Sequence, residues 1–518
     1  MRKRLRIVLV VLLALPLAAL LSVYSYGRFA EGARGAPAFA LPAERVETPL
    51  DRAIAPLAAA HPGRSGLALL ADYRDAFVVR ALSARGAGRS LDLQYYIWHP
   101  DFTGSLLAHE LLRAADRGVR VRLLLDDLNA HRQGSMLAAL DRHPRIEVRL
   151  FNPSRASERS LQRGAELLLR MYSLNRRMHN KAWIADGRLA IVGGRNIGDE
   201  YFGAASDTNF LDADLIALGP AVDESVAIFD AFWNSRSALP LQALAEGDEA
   251  ALQRLRRRAE ADYASPRARE YLRRLRRSPS VRMLLQGSTL HWTGEAHVYS
   301  DPPEKAEGAP RGRWLVDALV PAMAGARREL RLISPYFVPG DAGVRWLAGL
   351  RERGVAVGIL TNSLAATDVA AVHGGYAPYR EPLLRAGVAL YEMKPRDGRG
   401  GGSGFGSGSG ASLHTKAFTV DDEWGYVGSF NLDPRSINLN TEMGIVFRDA
   451  ALAAELERLF AAKIAPRSSY RVELRGDELR WIDAAADPPR VWTREPEAGW
   501  LRRATATVVA WLPVESQL

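Results

Sequence analysis

No cysteine occurs anywhere in the 518 residues. That excludes disulfides, thiolate catalysis and zinc or iron–sulfur sites built on cysteine. No cluster of histidines and carboxylates has metal-ligand spacing, and the Gly/Ser-rich segment 396–412 lacks the pattern of a phosphate-cradling P-loop. Neither a resident metal nor a cofactor is therefore expected. Acidic residues are the minority: 59 Asp and Glu against 69 Lys and Arg give a formal net charge of +10. Such a chain favours an anionic partner, either nucleic acid or anionic lipid. The N-terminus is basic over residues 2–6 and then apolar over 7–24. That pattern marks 1–26 as a signal anchor or signal peptide. An uncleaved anchor fits better, because the nearest small-residue cleavage sequence, at 38–40, lies far beyond the apolar run. The charge bias keeps residues 2–6 in the cytoplasm and sends the rest across the membrane. Residues 27–48, rich in Ala, Gly and Pro, read as a tether.

What the chain does have is one motif twice. His179, Lys181, Asp186, Gly193, Gly194 and Asn196 recur, with identical spacing, as His414, Lys416, Asp421, Gly428, Ser429 and Asn431. A histidine can attack phosphorus or carry a proton to a leaving oxygen. A lysine two residues on points to the same side of an extended strand and neutralises phosphate oxygens. The asparagine after the Gly-rich turn adds neutral donors. Two such sets brought together hold a phosphodiester without a metal.

The paired pattern resembles the phospholipase D superfamily. The stretches 194–202 and 371–376 and the ending 508–518 are similar to a cardiolipin synthase-like bacterial branch of it. The resemblance implies one site formed where two domains meet across a pseudo-twofold axis, and a phosphohistidine intermediate. It implies His179 as nucleophile and His414 as general acid/base. It gives Asp186 and Asp421 structural roles, and it implies an acidic residue after each motif that orients a histidine. The candidates are Asp212 or Asp214, with Asp214 preferred, and Glu442. Gly194 departs from the commonest pattern, where a serine stands as it does at Ser429.

The duplication reaches beyond the motif. Residues 90–98 alternate like a strand, 104–117 have helical spacing, Gly118 ends the helix and 119–125 form a strand. Residues 330–337, 342–353, Gly354 and 355–360 repeat this. Strand, helix, strand predicts parallel βαβ units. The expected fold is α/β: two phospholipase D-type domains, each a mostly parallel sheet flanked by helices, over 49–245 and 301–470. A basic helical connector, 246–300, divides them, and a tail, 471–518, packs on the core. Tyr95, Tyr96, Trp98, Tyr336 and Phe337 stand at the mouth of the expected site, and 396–412 reads as a lid over it.

The leading function is a phosphatidyltransferase that makes cardiolipin from phosphatidylglycerol and a second phospholipid. The alternatives are a phospholipase D releasing phosphatidic acid and a membrane-tethered or secreted phosphodiesterase or nuclease. Expected partners are phospholipid substrates and the inner-membrane bilayer, with no specific nucleic acid; no partner protein is implied. The catalytic part would face the periplasm or outside.

Overall fold

The computed structural model describes residues 2–42, 47–130, 134–154, 169–170, 174–245, 248–275, 289–395, 410–512 and 515–517. The first half supplies β1 (Ser65–Leu70), β2 (Ser90–Tyr95), β3 (Arg120–Asp126), β4 (Ile146–Phe151), β5 (Ala182–Ala185), β6 (Leu189–Gly193), β7 (Thr208–Leu211), β8 (Asp214–Leu218), β9 (Ala238–Pro240) and β10 (His291–Thr293). The second supplies β11 (Ala296–Ser300), β12 (Glu329–Ile333), β13 (Ala356–Asn362), β14 (Ala389–Met393), β15 (Gly410–Leu413), β16 (Ala417–Val420), β17 (Trp424–Gly428), β18 (Met443–Arg448), β19 (Ser469–Arg475), β20 (Glu478–Asp483) and β21 (Arg490–Trp492).

Two large sheets result, in the orders β10-β1-β8-β6-β5-β2-β3-β4-β9 and β11-β18-β17-β16-β12-β13-β14-β19-β20-β21, with β7 and β15 paired separately. The run β8-β6-β5-β2-β3-β4 matches β18-β17-β16-β12-β13-β14, so the duplication is one of topology. The βαβ units are where the sequence puts them. Helix Phe102–Asp116 joins β2 to its parallel neighbour β3, and Gly340–Glu352 joins β12 to β13. Gly118 and Gly354 follow these helices at φ +98° and +86°, a conformation glycine adopts without a Cβ clash.

The expectation of mostly parallel sheets is corrected. Within these two sheets only β2-β3-β4 and β12-β13-β14 run parallel, and the other pairs are antiparallel. The motif segments themselves are hairpins. Asp186 and Gly187 turn β5 into β6 with φ +54° and +63°, and Asp421 and Asp422 turn β16 into β17 with φ +54° and +60°. Turns this short join only antiparallel strands.

The sheets meet through one shared core, with Ile184, Val192 and Leu215 from one against Ala417, Val427, Ile445 and Phe447 from the other. The expected boundaries shift with them. The segment 246–300 supplies an edge strand to each sheet, β10 on β1 and β11 on β18. Strand β19 spans the boundary at 470, and β20 and β21 extend the same sheet, so the tail is an integral part of it. Helices Glu249–Ala264 and Pro266–Leu275 turn several arginines onto their own domain: Arg256 forks onto Asp116 at 2.7 Å, and Arg267 reaches Asp199 at 3.2 Å. Arg276, Arg277 and the expected lid at 396–409 lie outside the described residues.

Helix Arg2–Gly32 carries the expected anchor. Among the described residues no helix is long and apolar enough to cross a membrane. Most side chains of the apolar run 7–24 up to residue 16 lie outside that description.

Candidate active site

Each motif histidine is seated by the other half of the chain. The His179 amide donates to the Thr441 carbonyl at 2.9 Å, and the Thr441 amide returns a bond to Arg177 at 2.8 Å. The His414 amide donates to the Leu211 carbonyl at 2.9 Å. Strands β7 and β15 pair in parallel, Thr208 with Gly410 through Leu211 with Leu413, and so deliver His414 beside the residue after Leu211. The next residue in each seat is the acid. His179 Nδ1 lies 2.7 Å from Glu442 Oε2, and His414 Nδ1 lies 2.5 Å from Asp212 Oδ2. With Nδ1 donating to a carboxylate, a neutral ring keeps its lone pair on Nε2.

The preference for Asp214 is therefore corrected. Asp214 takes Arg80 at 2.9 Å and Arg195 at 3.2 Å, both fully buried, and holds the strand that follows. Asp212 stands just before β8, where the β7–β15 pairing turns its carboxylate to the other half.

Glu442 is completely buried. Ser429 Oγ donates to its Oε2 at 2.5 Å and Ser436 Oγ to its Oε1 at 3.1 Å. Burial pushes Glu442 up to about 7 against the pull of Lys181. Burial also pushes Asp212 up, but His414, Lys416 and Arg195 outweigh it and hold its carboxyl below the usual range. Burial, then Lys181, Lys416 and His414, drive His179 well below its ordinary value. His414 is lowered by burial and Lys416, with Asp212 opposing. The two pairs are unlike: Asp212 stays charged and favours a proton on His414, whereas His179 is held neutral.

Lys181 and Lys416 are buried, and each Nζ donates to the carbonyl of its own histidine, His179 and His414, at 2.5 Å. Burial lowers Lys181 to about 7 and Lys416 to about 8. Lys416 lowers both Lys181 and His179, across the two motifs; this places both motifs at one centre. Asn196 is locked by the Ile97 amide on Oδ1 and donates from Nδ2 to Tyr201 Oη at 2.9 Å. The Tyr201 ring meets His414 edge-on at 5.4 Å, and Phe210 lies 5.0 Å from the same ring. Asn431 is buried, and its Oδ1 accepts no hydrogen bond among the described residues.

Asp186 and Asp421 do something else. Asp186 accepts the amides of Gly88, Arg89 and Ser90, and Asp421 those of Arg327, Arg328 and Glu329. Each pins the start of β2 or β12 to the turn of its hairpin.

Of the expected mouth aromatics, Tyr96 packs on His179 at 5.0 Å and Tyr336 donates to Asp368 at 2.8 Å. Tyr95, Trp98 and Phe337 point into the domain cores, Tyr95 by the alternation of β2. Asp368, which bears on His414 and Lys416 electrostatically, was not read from the sequence; nor were Tyr201 and Phe210 as neighbours of His414.

Gly194 and Ser429 are explained by their acids. A Cβ at Gly194 would lie 2.2 Å from Asp212 Oδ1, while Ser429 has space and an acceptor in Glu442. Gly194→Ser is expected to push Asp212 off His414 and to cost about 10²-fold in kcat, the usual scale for an ångström of misplacement. Steady-state kinetics check it; wild-type kcat would show that Asp212 has room to move.

The site holds two histidines, each on a carboxylate, and two lysines around one centre. It suits attack on a phosphodiester with proton delivery from the opposite side. A family model described as cardiolipin synthase, PLD-like domain, matches residues 83–233 and 319–464. Cardiolipin synthase C of Escherichia coli strain K12 is 41% identical over 473 residues, 90% of this chain and 99% of that protein. Cardiolipin synthase 2 of Staphylococcus epidermidis is 27% identical over 377 residues, 73% of this chain and 63% of that protein. Among solved structures, phosphatidylserine synthase of Haemophilus influenzae Rd KW20 shares the fold with a TM-score of 0.54 at 13% identity, over 93% of this chain and 96% of that one.

Proposed function

The chain belongs to the cardiolipin synthase family of phospholipase D-like phosphatidyltransferases, and from that premise we propose that it makes cardiolipin from phosphatidylglycerol and a second phospholipid. The observation that carries this reading is the crosswise pairing of His179 with Glu442 and His414 with Asp212. Lys181 and Lys416 hold the non-bridging oxygens of the donor phosphodiester. His179 Nε2 attacks phosphorus, and the bond to the headgroup oxygen breaks as His414 gives that oxygen its proton. The phosphatidyl group is now on His179. A hydroxyl of phosphatidylglycerol then loses its proton to His414 and attacks the same phosphorus, and His179 leaves. Both histidines end as they began. The charged Asp212 and the neutral His179 support this division of roles.

Water competes for the intermediate at about 55 M. An acceptor held in place reaches effective molarities of about 10⁵ M or more, so transfer wins where the lipid alcohol is positioned and water excluded. Several basic-helix arginines are committed to Asp116, Asp199 and Glu270, which gives the nuclease reading less support. The basic residues 2–6 ahead of the apolar run support an inner-membrane anchor within 1–26, with the catalytic part on the periplasmic side.

The test is product analysis. Purified protein is given phosphatidylglycerol with and without phosphatidylethanolamine, with chelator present throughout. Cardiolipin is the expected main product. Phosphatidic acid at every composition would make the protein a phospholipase D, and cleavage of DNA alone would remove both lipid readings. Activity lost in chelator and restored by one divalent ion would overturn the metal-free site.

The lysines set a pH dependence. They act charged, and their values in the free protein are lowered to about 7 and about 8. Protonation is complete below these values and lost as pH rises through them, so kcat/KM is expected to fall above pH about 7 and more steeply above about 8. The bound phosphodiester favours the ammonium form, so kcat falls at higher pH than kcat/KM. A kcat/KM profile flat to pH about 10 would show that the lysines are not needed charged.

A further inference from the structure

Helix Trp500–Trp511, in the tail, packs one side on the loop and helix that follow β13. Ala506 is buried with Leu364 and Ala498. At Gly374 the backbones come so close that a Cβ would lie 2.5 Å from the Ala506 carbonyl oxygen. The opposite side is bare. Trp500 is 79% exposed, Leu501 63%, Val508 53% and Trp511 82%. With Ala504 and Thr505 these residues form a face without charge, about 18 Å long, with a tryptophan at each end.

The helix sits beside the site. Arg502 donates to the carbonyls of Leu364 and Thr367 at 3.1 and 2.5 Å. The next residue, Asp368, takes the Tyr336 hydroxyl and bears on His414 and Lys416. Charge is sorted around it as well. Between residues 490 and 512 stand four arginines and two glutamates. Both glutamates are engaged by the protein: Glu495 by Arg380 and His373, Glu497 by Tyr470. Arg490 and Arg494 are exposed.

We propose that the exposed face of helix Trp500–Trp511 docks on an anionic lipid surface and sets the mouth of the active site against the bilayer. Tryptophan ends and an uncharged apolar middle suit the headgroup–acyl boundary. Arg490 and Arg494 meet the anionic headgroups. A membrane fits better than a second copy of this chain because exposed Arg490 and Arg494 flank the uncharged face and the helix is tied through Thr367 to the residue next to the site, Asp368. The proposal rests on the phospholipid reading of the site.

The test exploits the absence of cysteine. Val508→Cys gives the full chain a single thiol, which is labelled with an environment-sensitive fluorophore. With vesicles of phosphatidylethanolamine and phosphatidylglycerol the emission is expected to shift to the blue, and quencher lipids with a nitroxide in the upper acyl chain dim it. This reads the helix itself, whatever holds the protein to the vesicle. In parallel, Trp500→Ala/Trp511→Ala is expected to raise the apparent KM for vesicles about tenfold, equivalent to about 1.4 kcal/mol. Its kcat/KM for a short-chain, water-soluble phospholipid stays at the wild-type value. A label that remains in water on vesicles overturns the docking surface, as does a label shielded without lipid as protein concentration rises, which would assign the face to a second copy. If no phospholipid is turned over, the functional reading fails, and the label still decides the docking surface.

Discussion

Alanine at His179 is expected to leave essentially no turnover, a loss of about 10⁴-fold or more, and alanine at His414 is expected to do the same. The two losses are equal in scale because the residues serve one reaction: one makes the bond to phosphorus, the other moves the proton that lets each alcohol leave or attack. The fold survives both changes. Without His179, Glu442 keeps the hydroxyls of Ser429 and Ser436; without His414, Asp212 keeps the Ala213 amide at 2.8 Å. Neither buried carboxylate is left without a donor, so the thermal midpoint stays within a few degrees. Near-wild-type activity in either variant would mean that the halves work as two sites. The division of roles has its own readout. With a donor bearing a good leaving group, His414→Ala is expected to accumulate a phosphoryl adduct on His179, because the intermediate forms but no base remains to activate the acceptor. Mass spectrometry of the acid-sensitive adduct locates it; an adduct on His414 in the converse variant would reverse the assignment.

The duplicated motif was legible because its signals are local. The spacing from His179 to Asn196, repeated from His414 to Asn431, is enough to mark two matched sets of side chains. The βαβ units were legible for the same reason: a strand, a helical period and a terminating glycine lie within about 30 residues. Strand direction was less so. Long apolar segments read equally well as parallel or antiparallel, and the signal that decides, Asp186–Gly187 in the three-residue turn 186–188, is easily passed over inside a catalytic motif. The acids that face the histidines were least legible. His414 meets Asp212 across 202 residues, and His179 meets Glu442 across 263. Resemblance between the strands β8 and β18 pointed to Asp214, which begins β8, but Glu442 immediately precedes β18. The acid of each pair stands just outside the strand, where contact with the other half sets its direction. Tyr95 and Tyr96 show the reverse case: alternation alone sends one inward to Arg80 and the other onto His179.

Asp212 and Asp214 lie two residues apart, and their amides are expected to fail in different ways. Asp212→Asn is nearly isosteric, so the protein folds. Its carbonyl oxygen keeps the Ala213 amide, which leaves the amide nitrogen facing His414 Nδ1. A donor there forces the neutral ring to carry its proton on Nε2, the wrong tautomer for accepting one from the incoming alcohol. Loss of this kind costs about 10⁴-fold in kcat in a serine protease triad, and a fall of about 10³–10⁴-fold is expected here. Asp212 also favours the charged ring, so its removal lowers His414 further. The residual activity should move to lower pH, where the acid form survives. Asp214→Asn breaks two buried pairs at once, with Arg80 and Arg195, both essentially without exposure. Removing one partner of a buried pair costs about 3–5 kcal/mol, so the thermal midpoint falls steeply. Below that midpoint the protein that remains folded should turn over with an unshifted pH profile, because Asp214 does not touch His414. Thermal melts and pH–rate profiles on the two variants separate the roles. A stable Asp214→Asn with lost activity, beside an active Asp212→Asn, would return the orienting role to Asp214.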